Sequence, residues 1–74
     1  MFQEYDVVTL KRTVPDVPVP AGAVGTILHV GDVPPGYIVE FTDGKGNTIG
    51  GNVFEIMHED LELKIAYKDM PGSE

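Results

Sequence analysis

Tyr37-Ile38-Val39-Glu40-Phe41, followed after Thr42 by Asp43-Gly44-Lys45-Gly46-Asn47, is the stretch whose reading decides the fold. Tyr37, Val39 and Phe41 recur at every second position. They share one face and Glu40 lies on the other, the signature of a strand with one buried side. Asp-Gly readily supplies the positive φ angles of a tight hairpin, so the chain is expected to reverse at 43–47. The same period governs the flanks. Upstream, Val24 to Val30 alternates Val24, Thr26, Leu28 and Val30 against Gly25, Ile27 and His29, and Gly31-Asp32-Val33-Pro34-Pro35-Gly36 joins it to the central strand as a dense turn signal. Tyr5 to Lys11, with Val7, Val8 and Leu10, reads as a first strand. Residues 13–22 carry Pro15, Pro18 and Pro20, which lack backbone donors, and are expected to form an extended, polyproline-like loop. Downstream, a strand is expected over Thr48 to Phe54, interrupted by Gly50-Gly51 as a bulge or bend. Met57-His58-Glu59-Asp60 reads as one 3-10 turn, and Leu61 to Ile65 as a fifth strand with Leu61, Leu63 and Ile65 inward. Lys68 to Glu74 lacks periodicity and is expected to be a flexible tail behind a domain over 1–67.

Composition bounds the rest. The chain has 74 residues, no cysteine, and twelve Asp/Glu against five Lys/Arg, a formal charge of −7. One small domain is implied, with a thin stability margin. Disulfides, thiolate zinc sites and a cysteine nucleophile are excluded. The charge disfavours phosphate backbones and anionic membranes. The start, Met1-Phe2-Gln3-Glu4-Tyr5-Asp6, has neither a basic region nor a long apolar run. Together with the lack of cysteine this leads to an expectation of a cytoplasmic, bacterial-type protein.

Five short strands, a long proline-rich loop after the first and a single helical turn before the last predict an all-β, five-stranded SH3-like barrel. The expected core is Val7 or Val8, Leu10, Val24, Ile27 or Leu28, Val30, Val39, Phe41, Ile49, Val53, Leu61 and Leu63. Val7-Val8 and Ile27-Leu28 are apolar on both faces, which points to a second apolar surface for a homodimer or another partner.

The strings Glu4-Tyr5-Asp6-Val7-Val8-Thr9-Leu10-Lys11-Arg12, Ala21-Gly22-Ala23-Val24-Gly25-Thr26-Ile27-Leu28-His29-Val30, Tyr37 to Ile49 and Glu59-Asp60-Leu61-Glu62-Leu63 resemble a family of short bacterial proteins of SH3-like or KOW-like type. That family is common in cyanobacteria and in mobile gene sets, and is known as a domain of unknown function. The resemblance spans Phe2 to Ile65 and implies the barrel; it implies no chemistry. Looser similarity extends to photosynthetic-complex docking subunits, and Gly25 matches the glycine between the two strands of the KOW motif.

No constellation in the chain reads as catalytic, and no cofactor is expected. Lys11-Arg12 is the only adjacent basic pair and reads as a solvated strand end. Pro15-Asp16-Val17-Pro18 is formally a P-x-x-P string, here read as a stiff loop. His29 and His58, with Asp32, Glu59 or Asp60, match no metal-ligand spacing. Glu55, Glu59, Asp60 and Glu62 form the densest acidic group, suited to a basic partner surface. Phe2, Tyr5, Tyr37 and Phe54 are the aromatics expected to be part-exposed. The expected partner-binding set is therefore Tyr5, Tyr37, Phe54, Glu55, Glu59, Asp60 and Glu62. The expected role is that of a non-enzymatic, accessory or regulatory protein-interaction module, antitoxin-like or immunity-like given the family's mobile-gene company. The alternatives are a KOW-like RNA- or ribosome-associated module, which the charge disfavours, and a photosynthetic-complex docking subunit.

Overall fold

A computed structural model describes residues 1–31 and 36–70. Among them, β1 (Val7–Leu10), β2 (Val24–Val30), β3 (Gly36–Thr42), β4 (Phe54–Met57) and β5 (Leu61–Ile65) form one antiparallel sheet in the order β4-β3-β2-β1-β5. One-turn 3-10 segments span Ile49–Gly51, His58–Asp60 and Tyr67–Asp69. β2, β5 and the 3-10 turn before β5 lie where the period-two reading puts them. Most of the expected turn between β2 and β3 (Asp32, Val33, Pro34, Pro35) lies outside the described residues, but its ends meet: Gly31 N donates to Gly36 O at 2.8 Å. β4 and β5 are the two edges, and no ladder among the described residues joins them, so these residues show a five-stranded sheet that is not closed. No helix among these residues is long and apolar enough to cross a membrane.

The fourth strand departs from expectation. Thr48 makes only an isolated bridge to Thr42, and the chain then turns through Gly50 (φ 79°) and Gly51 (φ 73°). Those angles suit glycine and break any ladder, so β4 begins only at Phe54. The shift sets the phase of the strand: Phe54 lies opposite Val39 and Ile56 opposite Tyr37. Ile56 is therefore buried, whereas Val53, expected in the core, precedes the ladder and is exposed.

The core comprises Val8, Leu10, Val19, Ile27, Tyr37, Val39, Phe41, Ile56 and Leu61. Two bulges decide who enters it. In β2 the register against β3 slips between Ile27 and His29, so Gly25, Ile27 and Val30 all reach the inner side. Val24, expected inside, lies opposite Thr9 and Thr42 on the outer face and is only half-buried. In β5 Leu61 is buried but Leu63 and Ile65 are exposed, contrary to expectation: Leu63, opposite Val8, lies at the open edge beyond the core, and the slip between Val7 and Val8 sets Ile65 opposite Val7 on the outer face. Gly25 sits beneath β3: a Cβ there would lie 2.6 Å from Val39 Cγ1 and 2.8 Å from Phe41 Cδ1.

The proline-rich loop is more than a spacer. Asp16 adopts φ 66°, Val17 N donates to Val14 O and Val19 N to Val17 O, and this folding-back drives Val19 into the core with Val14 and Val17 packed beside it. Burying a valine side chain contributes roughly 1.5–3 kcal/mol, a part of what ordering the loop costs. The prolines stay at the surface, and Pro18 closes over Gly50 near the Phe54 ring.

Candidate functional site

The first six residues are tied to both ends of the sheet. Asp6 is the buried charged side chain of the described residues, 5% exposed. Its Oδ2 accepts from Gln3 N and its Oδ1 from Tyr67 N, both at 2.8 Å. Only an ionised carboxylate can accept on both oxygens without presenting a donor, and buried charge is tolerated when it is satisfied in this way. One carboxylate therefore joins the N-terminal turn to the segment after β5, 61 residues away in the chain.

That clamp brings two tyrosines together. Tyr5 and Tyr67 meet with ring centroids 5.5 Å apart and planes tilted by 57°, and both side chains remain about half exposed (50% and 46%). Together with Val7, Thr26 and Met70 they line a shallow groove of about 300 Å³ on the outer face of the sheet. A second cleft of about 370 Å³ adjoins it at Tyr67 and is lined by residues including Gln3, Leu63 and Lys68. Tyr5 holds φ at 68°, fixed by Tyr5 N donating to Ile27 O at 2.6 Å. A non-glycine residue in the left-handed region costs roughly 1–2 kcal/mol. Such strain persists where the surroundings enforce it, often at working surfaces. The registers put Ile65, Val7, Thr26 and Glu40 in one row across this outer face, apolar at the Ile65 end and acidic at Glu40.

The other sequence-nominated residues are dispersed. Tyr37, expected at the surface, is fully buried. Its Oη accepts from Phe2 N at 3.2 Å and faces His58 Nδ1 at 3.0 Å, while Phe2 stacks on the His58 ring with centroids 4.6 Å apart. Phe54 is half-buried against the core. Glu55 lies on β4 and Glu62 on β5, at opposite edges of the sheet. Glu59 is exposed and uses its carbonyl to accept from Arg12, and Asp60 pairs with Arg12 Nε at 3.3 Å. His29 is 3.8 Å from Glu4, and no three potential metal ligands converge among the described residues. Nothing in the sequence nominates Asp6 or Tyr67. An acid directly before an apolar strand reads as a solvated end, and Tyr67, the last residue of the expected domain, carries no pattern of its own.

The 43–47 turn is closed by a second carboxylate. Asp43 Oδ1 accepts from Lys45 N at 2.7 Å and Asn47 N at 3.0 Å. The Asn47 and Lys45 amides hold its pKa below the ordinary value of 3.8. A lowered folded-state pKa adds stability above the unfolded value and loses it as pH falls through the folded one. On acidification the turn should therefore keep its cap down to about pH 3.8 and release it below. Amide shifts of Lys45 and Asn47 should titrate with a midpoint under 3.8; a midpoint at or above that value would disprove the cap.

No curated protein and no solved structure matches the chain. A family model does match it over residues 4–62, which takes in all of β1 to β4 and the Asp6 carboxylate. The chain thus belongs to the family described as Domain of unknown function (DUF4926).

Proposed function

We propose that the chain is a non-enzymatic interaction module that receives a basic, partly apolar segment of another protein in the Tyr5–Tyr67 groove. The observation that carries this reading is the pair of half-exposed tyrosines, one held in a strained backbone conformation, on a surface of formal charge −7. Aromatic faces attract guanidinium and ammonium groups, by about 0.5–1 kcal/mol at exposed sites and more when water is excluded. Glu40, on the same row as Val7 and Thr26, adds a carboxylate within the face that such a segment would cross. The strand order and the 3-10 turn directly before β5 support an SH3-like reading of the sheet, a scaffold type that presents shallow aromatic grooves to peptides. RNA binding finds less support: Arg12 is already engaged by Asp60 and the Glu59 carbonyl.

Fluorescence anisotropy with a labelled peptide of alternating Arg and Leu, against one of alternating Glu and Leu, tests the reading. The basic peptide should bind, more weakly as salt is raised, and the acidic one should not. Tyr5→Gly relieves the left-handed strain while deleting the ring, so the protein should stay folded and lose binding by about tenfold, which corresponds to about 1.4 kcal/mol. Equal binding of both peptides, or an unaffected Tyr5→Gly variant, would overturn the proposal.

A further inference from the structure

β5 is an open edge with a self-complementary sequence, and its one slip against β1 falls at Lys64. Its residues Leu61-Glu62-Leu63-Lys64-Ile65 contain neither proline nor glycine, and Glu62, Leu63, Lys64 and Ile65 are all exposed. Lys11 N donates to Asp60 O at 2.8 Å, so the pair Lys11/Asp60 is hydrogen-bonded in the ladder with β1. The register Thr9↔Glu62 and Val8↔Leu63 continues from it. Bonded and non-bonded pairs alternate in an antiparallel ladder, which turns the N–H and C=O of Leu63 away from β1 and toward the open edge. An edge with such groups is a template for another strand.

We infer that two copies of this chain pair antiparallel through β5 about a two-fold axis at Leu63. In that register Leu63 meets its own counterpart and the two chains exchange N–H···O=C bonds there. Glu62 of each copy then stands opposite Lys64 of the other, giving two opposite-charge cross-strand pairs, the favourable arrangement in sheets. Such a contact is isologous and closed, so it stops at the dimer. The 3-10 turns at His58–Asp60 and Tyr67–Asp69 bound the exposed edge on either side and confine pairing to β5. The other edge lacks this property. β4 reads Phe54-Glu55-Ile56-Met57, with no cation, and a two-fold at Glu55 would oppose two carboxylates. The dimer uses Glu62, Leu63 and Lys64, none of which lines the Tyr5–Tyr67 groove, so it goes beyond the docking reading and either can fail without the other.

The paired length is short, and two chains of charge −7 repel, so the dimer should be weak and best seen by sedimentation velocity at about 100 μM or above in 0.15 M salt, where the Debye length is about 8 Å. Wild type should shift toward the dimer as concentration rises. Lys64→Glu and Glu62→Lys each create two like-charge pairs and should sediment as folded monomers, with Tm unchanged. Mixing the two variants restores opposite charges at both positions and should produce a heterodimer. A wild type that stays monomeric throughout, single variants that dimerise as wild type does, or a mixture that stays monomeric would each overturn the inference.

Discussion

Gly25→Ala should lower the stability of this protein by about 3 kcal/mol, at the upper end of the usual cost of overpacking a core. The added methyl would meet Val39 Cγ1 at 2.6 Å and Phe41 Cδ1 at 2.8 Å. Both neighbours are fully buried side chains of β3, and Gly25 lies opposite Phe41 in the β2–β3 ladder, so neither can retreat without parting the strands. Replacing glycine by alanine in a strand would ordinarily gain about 0.5–1 kcal/mol, which does not offset the clash. For a domain of this size the melting temperature should fall by about 15 °C. A thermal melt followed by circular dichroism measures it, and a change of less than about 3 °C would show that β2 and β3 can separate freely. Gly25→Val, two carbons larger again, should fail to fold.

The second large effect is expected from Asp6→Asn. The substitution keeps the shape but leaves one acceptor for two donors, Gln3 N and Tyr67 N, each 2.8 Å from its own carboxylate oxygen. Whichever amide loses its oxygen would face the new NH2 group, so a buried donor goes unpaired. Hydrogen bonds to charged groups are worth about 1.5–3 kcal/mol, and an orphaned buried donor adds its desolvation penalty. A loss of about 2–3 kcal/mol is expected, with faster hydrogen exchange at the Tyr67 and Gln3 amides. Because the clamp sets Tyr67 beside Tyr5, peptide binding should fall as well. A variant within 0.5 kcal/mol of wild type, with Tyr67 protection retained, would mean that the carboxylate does not hold the two chain ends.

The two residues differ in what the sequence shows of them. Gly25 stands inside an alternating apolar run, where a missing side chain signals close backbone approach; what it approaches came only from the pairing of β2 with β3. Asp6 gave no such signal. A carboxylate before a strand is ordinarily a solvated end, and its burial depends on a segment that returns 61 residues later. The candidate site was legible only at Tyr5. Tyr37 was misjudged because a strand's apolar face and its exposed aromatics look alike in one dimension. Once Ile56 lies opposite it, Phe2 covers it and His58 takes its hydroxyl, nothing of it remains at the surface.

What the period-two pattern, the Asp-Gly turn and the prolines determined was the inventory: strands β2, β3 and β5, the hairpin turn, the loop and the 3-10 turn before the last strand. Those are local matters of backbone preference and of which side chains avoid water. Which apolar residues fill the core was decided by the tertiary structure. Each bulge, in β2 after Ile27 and in β5 opposite Val7/Val8, flips every later side chain to the other face, and the glycines at 50 and 51 delay β4 to Phe54. A strand's face is a property of its register with a neighbour, so the late start of β4, invisible in composition, put Ile56 inside, while the strand order left Leu63 on an open edge.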